Sequence, residues 1–200
     1  MTDRRDPLED ARAALRARQG PGARYDAAAA PAVPLQWARL GRAYFSRKLN
    51  ELADADLDAP SARPGWSRRR LVAASALQAR AFAQAITLAA GKVPDEIADT
   101  DEAALDLAET LPVRALRHLA SHADVHLDVV WRDLTDGQWD LAVAGLPGAG
   151  LVRDTAVLRA QALWTGAVDL ANGGRLRDAP AALRDSLAHG GEGARVRLSP

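Results

Sequence analysis

Apolar positions recur at helical spacing along most of the chain. Over 35–52 they fall at Leu35, Trp37, Ala38, Leu40, Tyr44, Phe45, Leu49 and Leu52, broken by Arg39, Arg42, Arg47 and Lys48. That pattern turns one stripe toward a core and the other toward water. A second helix is predicted to enter at Trp66-Ser67, with Ser67 as N-cap, and to run through Leu71, Val72, Leu77, Phe82 and Ile86 to Gly91. A third starts near Thr110-Leu111-Pro112, where proline suits the first turn, and continues to about Leu134, where Thr135-Asp136-Gly137 stops it. The fourth takes 154–170, capped by Asp154 or Thr155 and ended by Asn172-Gly173-Gly174. Shorter helices are expected over 7–18, closed by Gln19-Gly20-Pro21-Gly22, and over 179–188, before Gly190-Gly191. The connections are 20–34, an extended arm rich in Gly, Ala and Pro, then 54–64, 92–100, and 139–150, a loop or short extended piece.

Composition makes the helical reading stronger. Of the 48% apolar residues, 45 are Ala, while Phe, Tyr and Met together contribute five. Alanine is the best helix former and is depleted in sheets, so the chain is expected to be all-α, with closely packed helices and a core of small side chains. Four main helices suggest a four-helix bundle. Two hundred residues suffice for one domain, read as an N-terminal helix and arm over 1–34 and a helical bundle over 35–200.

Charge and cysteine usage exclude several functions. Lys+Arg and Asp+Glu are both 26, so no net field draws the chain to nucleic acid or an anionic membrane. Without Cys there is no disulfide, thiolate metal site or internal thiol nucleophile, and any sulfur chemistry must arrive with a ligand. No run reaches the roughly 18 uncharged apolar residues of a membrane span, and the start Met1-Thr2-Asp3-Arg4-Arg5-Asp6 is no signal peptide, so a cytoplasmic protein is expected. Basic charge rests on 24 Arg against Lys48 and Lys92, which with the Ala excess reads as the mark of a GC-rich genome.

Candidate chemistry is sparse. His118, His122 and His126 lie at i, i+4 and i+8 and form a drifting stripe on one predicted helix. They read either as a relocated metal or proton-transfer site, with His118 and His122 as the pair and Asp124 or Asp128 assisting, or as imidazoles hydrogen-bonded to neighbouring helices. Arg68-Arg69-Arg70 opens a helix against the macrodipole and reads as a solvated face or an anchor for an acidic ligand. The five Trp residues, Trp37, Trp66, Trp131, Trp139 and Trp164, are expected to be packing anchors. Ser75 and Ser121 lie in no nucleophile elbow, and phosphate loops and dinucleotide fingerprints are absent.

Several segments together resemble one known family. Leu49-Asn50-Glu51-Leu52, residues 54–57, Ala59-Pro60-Ser61 and Pro64-Gly65-Trp66-Ser67 resemble the link between the first two helices of the thiol-dependent maleylpyruvate isomerases, which are DinB-like four-helix bundles. Leu134-Thr135-Asp136-Gly137-Gln138-Trp139-Asp140 and Ala167-Val168-Asp169-Leu170 with Gly173-Gly174 resemble later stretches of that family, and residues 16–26 resemble the arm of a bacterial branch. The resemblance implies a DinB-like bundle with an N-terminal helical arm and a short C-terminal helix. It also implies a divalent metal held by a His of the second helix and by a Glu and a His one turn apart in the fourth. The implied activity is thiol-dependent cis–trans isomerisation of maleylpyruvate or a related unsaturated acid, with glutathione or mycothiol as exogenous cofactor.

The ligand positions depart from that pattern. Ala74 stands at the family's usual helix-two His, with Gln78 one turn later, and Ala162 and Gly166 stand at the Glu and His. Arg159 is retained, while the next family Arg is Gln161. No metal is therefore expected at these positions. Trp164 is expected to fill the vacated space. Catalysis, if retained, would be altered and metal-independent, resting on Arg159 and His122, with Gln78, Trp164 and Arg159 contacting ligand. The alternative is a non-catalytic paralogue that binds a small carboxylic acid, or that pairs through its small-residue helix faces as a homodimer or with an active, metal-bearing relative.

Overall fold

The computed structural model describes residues 25–94, 97 and 99–189, and the expected helix over 7–18 lies outside them. The architecture is all-α. Four long helices form the bundle: α1 (Ala32–Asn50), α2 (Arg68–Ala89), α4 (Val113–Arg132) and α5 (Asp154–Asp169). Two short helices, α3 (Glu102–Glu109) and α6 (Ala181–His189), are also present among the described residues, with 3₁₀ turns at Asp54–Asp58, Asp136–Asp140 and Leu176–Asp178. Helix α1 packs chiefly on α5, α2 chiefly on α4, and contact between α2 and α5 joins the pairs.

Local chemistry explains most boundaries. The Ser67 hydroxyl accepts from the Arg70 amide at 2.9 Å and donates to Glu109 at 2.5 Å, so the N-cap of α2 is also tied to α3. Gly91, at φ +73, closes the same helix. Neither Asp154 nor Thr155 is the N-cap of α5, which is Arg153; the Asp154 carboxylate instead accepts from the Gly150 and Leu151 amides, closing the preceding loop. That loop is the short extended piece expected over 139–150, with an antiparallel bridge between Ala142 and Leu151.

Helix α3 is a departure from the sequence reading, which left this stretch without structure. Asp101 accepts from the Ala104 amide, and Leu105 and Ala108 bury one face of its two turns against α2. A single acidic cap and a helix this short fall below what periodicity detects, and packing supplies the remainder.

The core is built of small residues, as expected. Ala73, Ala76, Ala79 and Ala83 of α2 and Ala156, Ala160 and Ala167 of α5 are all buried. By length and composition α2 could cross a membrane, but half of its apolar window is buried within the bundle. All five Trp join the core or pack on it; Trp131 also donates to Thr155 Oγ1 at 3.0 Å.

Gly174 shows how tightly the end of α5 is folded back. A Cβ there would overlap the backbone carbonyl of Ala167. Backbone cannot step aside as a side chain can, so Gly174→Ala is expected to lower stability by about 1–3 kcal/mol in chemical denaturation. Gly137→Ala, where a Cβ meets nothing within 4 Å, is the matched control and should change stability little.

The arginine triplet is neither a solvated face nor an open anion site. Arg68 donates to the carbonyls of Leu170, Ala171 and Asp56. Arg69 donates to the carbonyls of Glu109 and Leu111. Arg70 pairs with Asp106, Glu109 and Glu102, and the first two hold its guanidinium pKa above the ordinary range. Arg117 likewise donates to the carbonyls of Leu49 and Leu52 at the end of α1. The Arg68, Arg69 and Arg117 guanidinium groups thus donate to carbonyls at or just beyond helix ends that sequence-local caps leave unmet.

Candidate functional site

The three positions implied as metal ligands lie on α2 and α5. Ala74 and Ala162 are half-buried, and Gly166 is buried. A Cβ on Gly166 would stand 3.3 Å from Phe45 Cε2, so the aromatic ring of α1 occupies the approach to that position. None of the three side chains carries a donor atom, and the residues present do not fit a divalent metal. Among the described residues no cluster of three His, Cys, Asp or Glu side chains could hold one elsewhere.

One turn along both helices the chemistry changes to a closed polar cluster. Arg159 of α5 is 1% exposed and reaches three places. Its Nη1 donates to Gln78 Oε1 at 2.7 Å and to the Ser75 carbonyl at 2.9 Å, and its Nη2 donates to Asp124 Oδ1 at 2.6 Å and to Ser75 Oγ at 3.2 Å. Asp124 comes from α4, and Gln78 and Ser75 come from α2, so one guanidinium joins three helices. A buried ion pair persists only when its lone pairs and protons are met, and here both terminal nitrogens are. The Nε of Arg159 has no partner, and a small cavity of about 10 Å³ lies beside it.

The expected site residues thus separate into three places. Arg159 and Gln78 are brought together as partners of each other. Trp164 does not fill the vacated space. It faces α1, stacking on Tyr44 at 4.7 Å, donating from Nε1 to the Trp37 carbonyl and lying against Gly41; Phe45 is the residue beside Gly166. The reason is helical phase, since Ala162 and Gly166 share a face four residues apart while Trp164, two from each, points away.

His118, His122 and His126 form a row on the exposed side of α4, with ring centroids 6.0 and 6.4 Å apart. They line an open groove whose walls include neither Arg159 nor Asp124. The expected assistance from Asp124 and Asp128 is not found. Asp124 belongs to Arg159, and Asp128 pairs with Arg39 at 2.7 Å and Arg132 at 3.2 Å. Asp26, then Asp128, hold the Arg39 guanidinium pKa above its ordinary range.

The sequence reading missed Asp124 as the partner of Arg159. Its signal was present. Leu116, Ala120, Ala123, Leu127 and Trp131 make the buried stripe of α4, and Asp124 stands within it, four residues after Ala120 and three before Leu127. A carboxylate on an apolar stripe needs a cation.

Residues 38–171 match the family described as the mycothiol maleylpyruvate isomerase N-terminal domain. The chain belongs to this family. Two solved structures of the mycothiol-dependent maleylpyruvate isomerase, one of them a histidine-to-alanine mutant, align with it. The mutant aligns at 29% identity with a TM-score of 0.69, and the other at 28% with 0.68. Each alignment covers 78% of this chain and 66% of the other, so the chain spans just under two thirds of the isomerase's length. No curated protein matches the chain. The isomerase-family fold and its DinB-like helical bundle are therefore shared with mycothiol-dependent relatives.

Proposed function

We propose that this protein is a non-catalytic member of the maleylpyruvate isomerase family that binds a small carboxylic acid and does not run the metal-assisted reaction. One observation supports this most. The polar side chains next to the donorless positions, Arg159, Gln78, Ser75 and Asp124, are bonded to one another, with the cation neutralised by a carboxylate at 2.6 Å. A buried guanidinium already paired in this way has no charge to offer a substrate carboxylate without first breaking a buried ion pair. Without a metal, a bound thiol keeps an ordinary pKa near 8.5, and only a few per cent is thiolate at neutral pH.

The test combines metal analysis of the purified protein with an ultraviolet assay of maleylpyruvate conversion, with mycothiol and with glutathione. The expected result is substoichiometric zinc and no thiol-dependent turnover. Turnover with either thiol would refute the non-catalytic reading and favour altered, metal-independent isomerisation. Restoring the donors is the complementary experiment. Ala74→His, Ala162→Glu and Gly166→His together are expected to confer stoichiometric zinc binding, more readily when Phe45→Ala removes the ring facing position 166.

A further inference from the structure

Three of the chain's four histidines stand in one row on α4. His118, His122 and His126 are exposed and four residues apart, so they share a helix face. The His118 and His122 rings lie 6.0 Å apart between centroids and 19° from parallel; those of His122 and His126 lie 6.4 Å apart at 34°. Two histidines four apart on one helix face are also the spacing with which a helix presents a chelating pair to zinc. The row lies on the open groove between α2 and α4, which Ala74, Ala162 and Gly166 do not line, so it is separate from the donorless positions.

Geometry fixes how many rings can share one ion. With metal–nitrogen bonds of about 2.0–2.1 Å and bond angles of about 90–110°, two coordinated imidazoles have centroids about 4.5–5.2 Å apart. Each adjacent pair has to close by about 1 Å, a side-chain rotation that exposed residues make without moving α4. The outer two rings are separated by eight residues, about 12 Å of helix, and cannot meet on one ion. No three-ligand cluster of His, Cys, Asp or Glu exists among the described residues, so water fills the positions that a pair leaves open.

We propose that this row binds one transition-metal dication, Cu²⁺, Ni²⁺ or Zn²⁺, chelated by His122 with either neighbour and completed by water. Imidazole nitrogen selects this class, whereas Mg²⁺ and Ca²⁺ take oxygen shells. Both pairs need His122, so occupation of one leaves no pair for a second ion. Arg114 and Lys92 belong to the same groove, but both are exposed, and water and salt screen their repulsion of a cation. Two imidazoles hold an ion more loosely than the three ligands of a closed site, so a chelator empties this row. The site is independent of the acid-binding reading above and stands or falls separately from it.

The test uses the full chain, stripped with EDTA, dialysed free of it and titrated with CuCl₂, NiCl₂, ZnCl₂ or MgCl₂ in a calorimeter. One Cu²⁺ per chain is expected, bound more tightly than Ni²⁺ or Zn²⁺, with no binding of Mg²⁺. His122→Ala should weaken Cu²⁺ by about tenfold or more, whereas His118→Ala and His126→Ala should each weaken it only about twofold, because one pair survives. The double variant His118→Ala with His126→Ala should match His122→Ala. All three positions are exposed on a helix, where alanine is favourable, so the fold is not at stake. His189→Ala, at the fourth histidine, is the control and should change nothing. Cu²⁺ should also raise the Tm of the unaltered chain but not of His122→Ala, since an ion held only by the folded row adds to its stability. Absence of saturable Cu²⁺ binding overturns the proposal. So does binding that His122→Ala leaves undiminished, which puts the ion elsewhere. A stoichiometry of two or three ions overturns it as well, since each imidazole would then be an independent ligand.

Discussion

Asp124→Ala is expected to reduce the unfolding free energy by about 3–5 kcal/mol, the usual cost of leaving one partner of a buried ion pair alone. The remaining charge would be Arg159, 1% exposed, with its carboxylate gone and only neutral acceptors from Ser75 and Gln78. Water cannot solvate it without opening the contacts among α2, α4 and α5. The double variant Arg159→Met with Asp124→Leu removes both charges and fills similar volume, so it should recover most of the loss. Urea denaturation of the three variants checks this. If Asp124→Ala matches the original protein, the guanidinium has access to solvent, and the closed cluster on which the non-catalytic reading leans is open after all.

Trp164→Ala should cost a similar amount, about 3–5 kcal/mol, for a different reason. Trp164 is 4% exposed in a core made mostly of Ala and Leu, side chains too small to fill the space an indole leaves. Its ring also supports Tyr44, whose hydroxyl donates to Asp178 at 2.6 Å and accepts from the Arg175 amide. The loss should therefore loosen the Leu176–Asp178 turn, read as faster amide exchange there. Gly41 supplies the control on geometry. A Cβ at this position would stand 2.9 Å from Trp164 Cδ1, so Gly41→Ala should destabilise the helix although alanine is about 1 kcal/mol the better helix former. In the Trp164→Ala background that penalty should shrink, and additive effects in the double variant would refute the close approach.

Much of this was open to reading in one dimension. Helical spacing located the four bundle helices to within a few residues, because a stripe that must face a core repeats in the sequence itself. The Ser67 cap and the Gly173-Gly174 stop were legible because their chemistry is local. The Pro-Gly-Trp-Ser box and the Val-Asp-Leu ending carried the family, and the expectation that Ala74, Ala162 and Gly166 stand at its ligand positions rests on counting from them along the helices.

What the tertiary structure alone decided is how polar groups distant in sequence choose one another. Arg159 meets Asp124 across 35 residues and Ser75 across 84, and no periodicity encodes such a meeting. The arginine triplet looked like free charge because its acceptors, the carbonyls ending α3 and α5, belong to other segments. Trp164 was assigned to the vacated space by proximity in number, whereas its two-residue offset turns it toward Gly41 and Tyr44. The sequence determines which face each side chain takes on its own helix; which partner that face meets depends on how the helices pack, and that is where the charge of Arg159 is neutralised and the groove beside the histidines is formed.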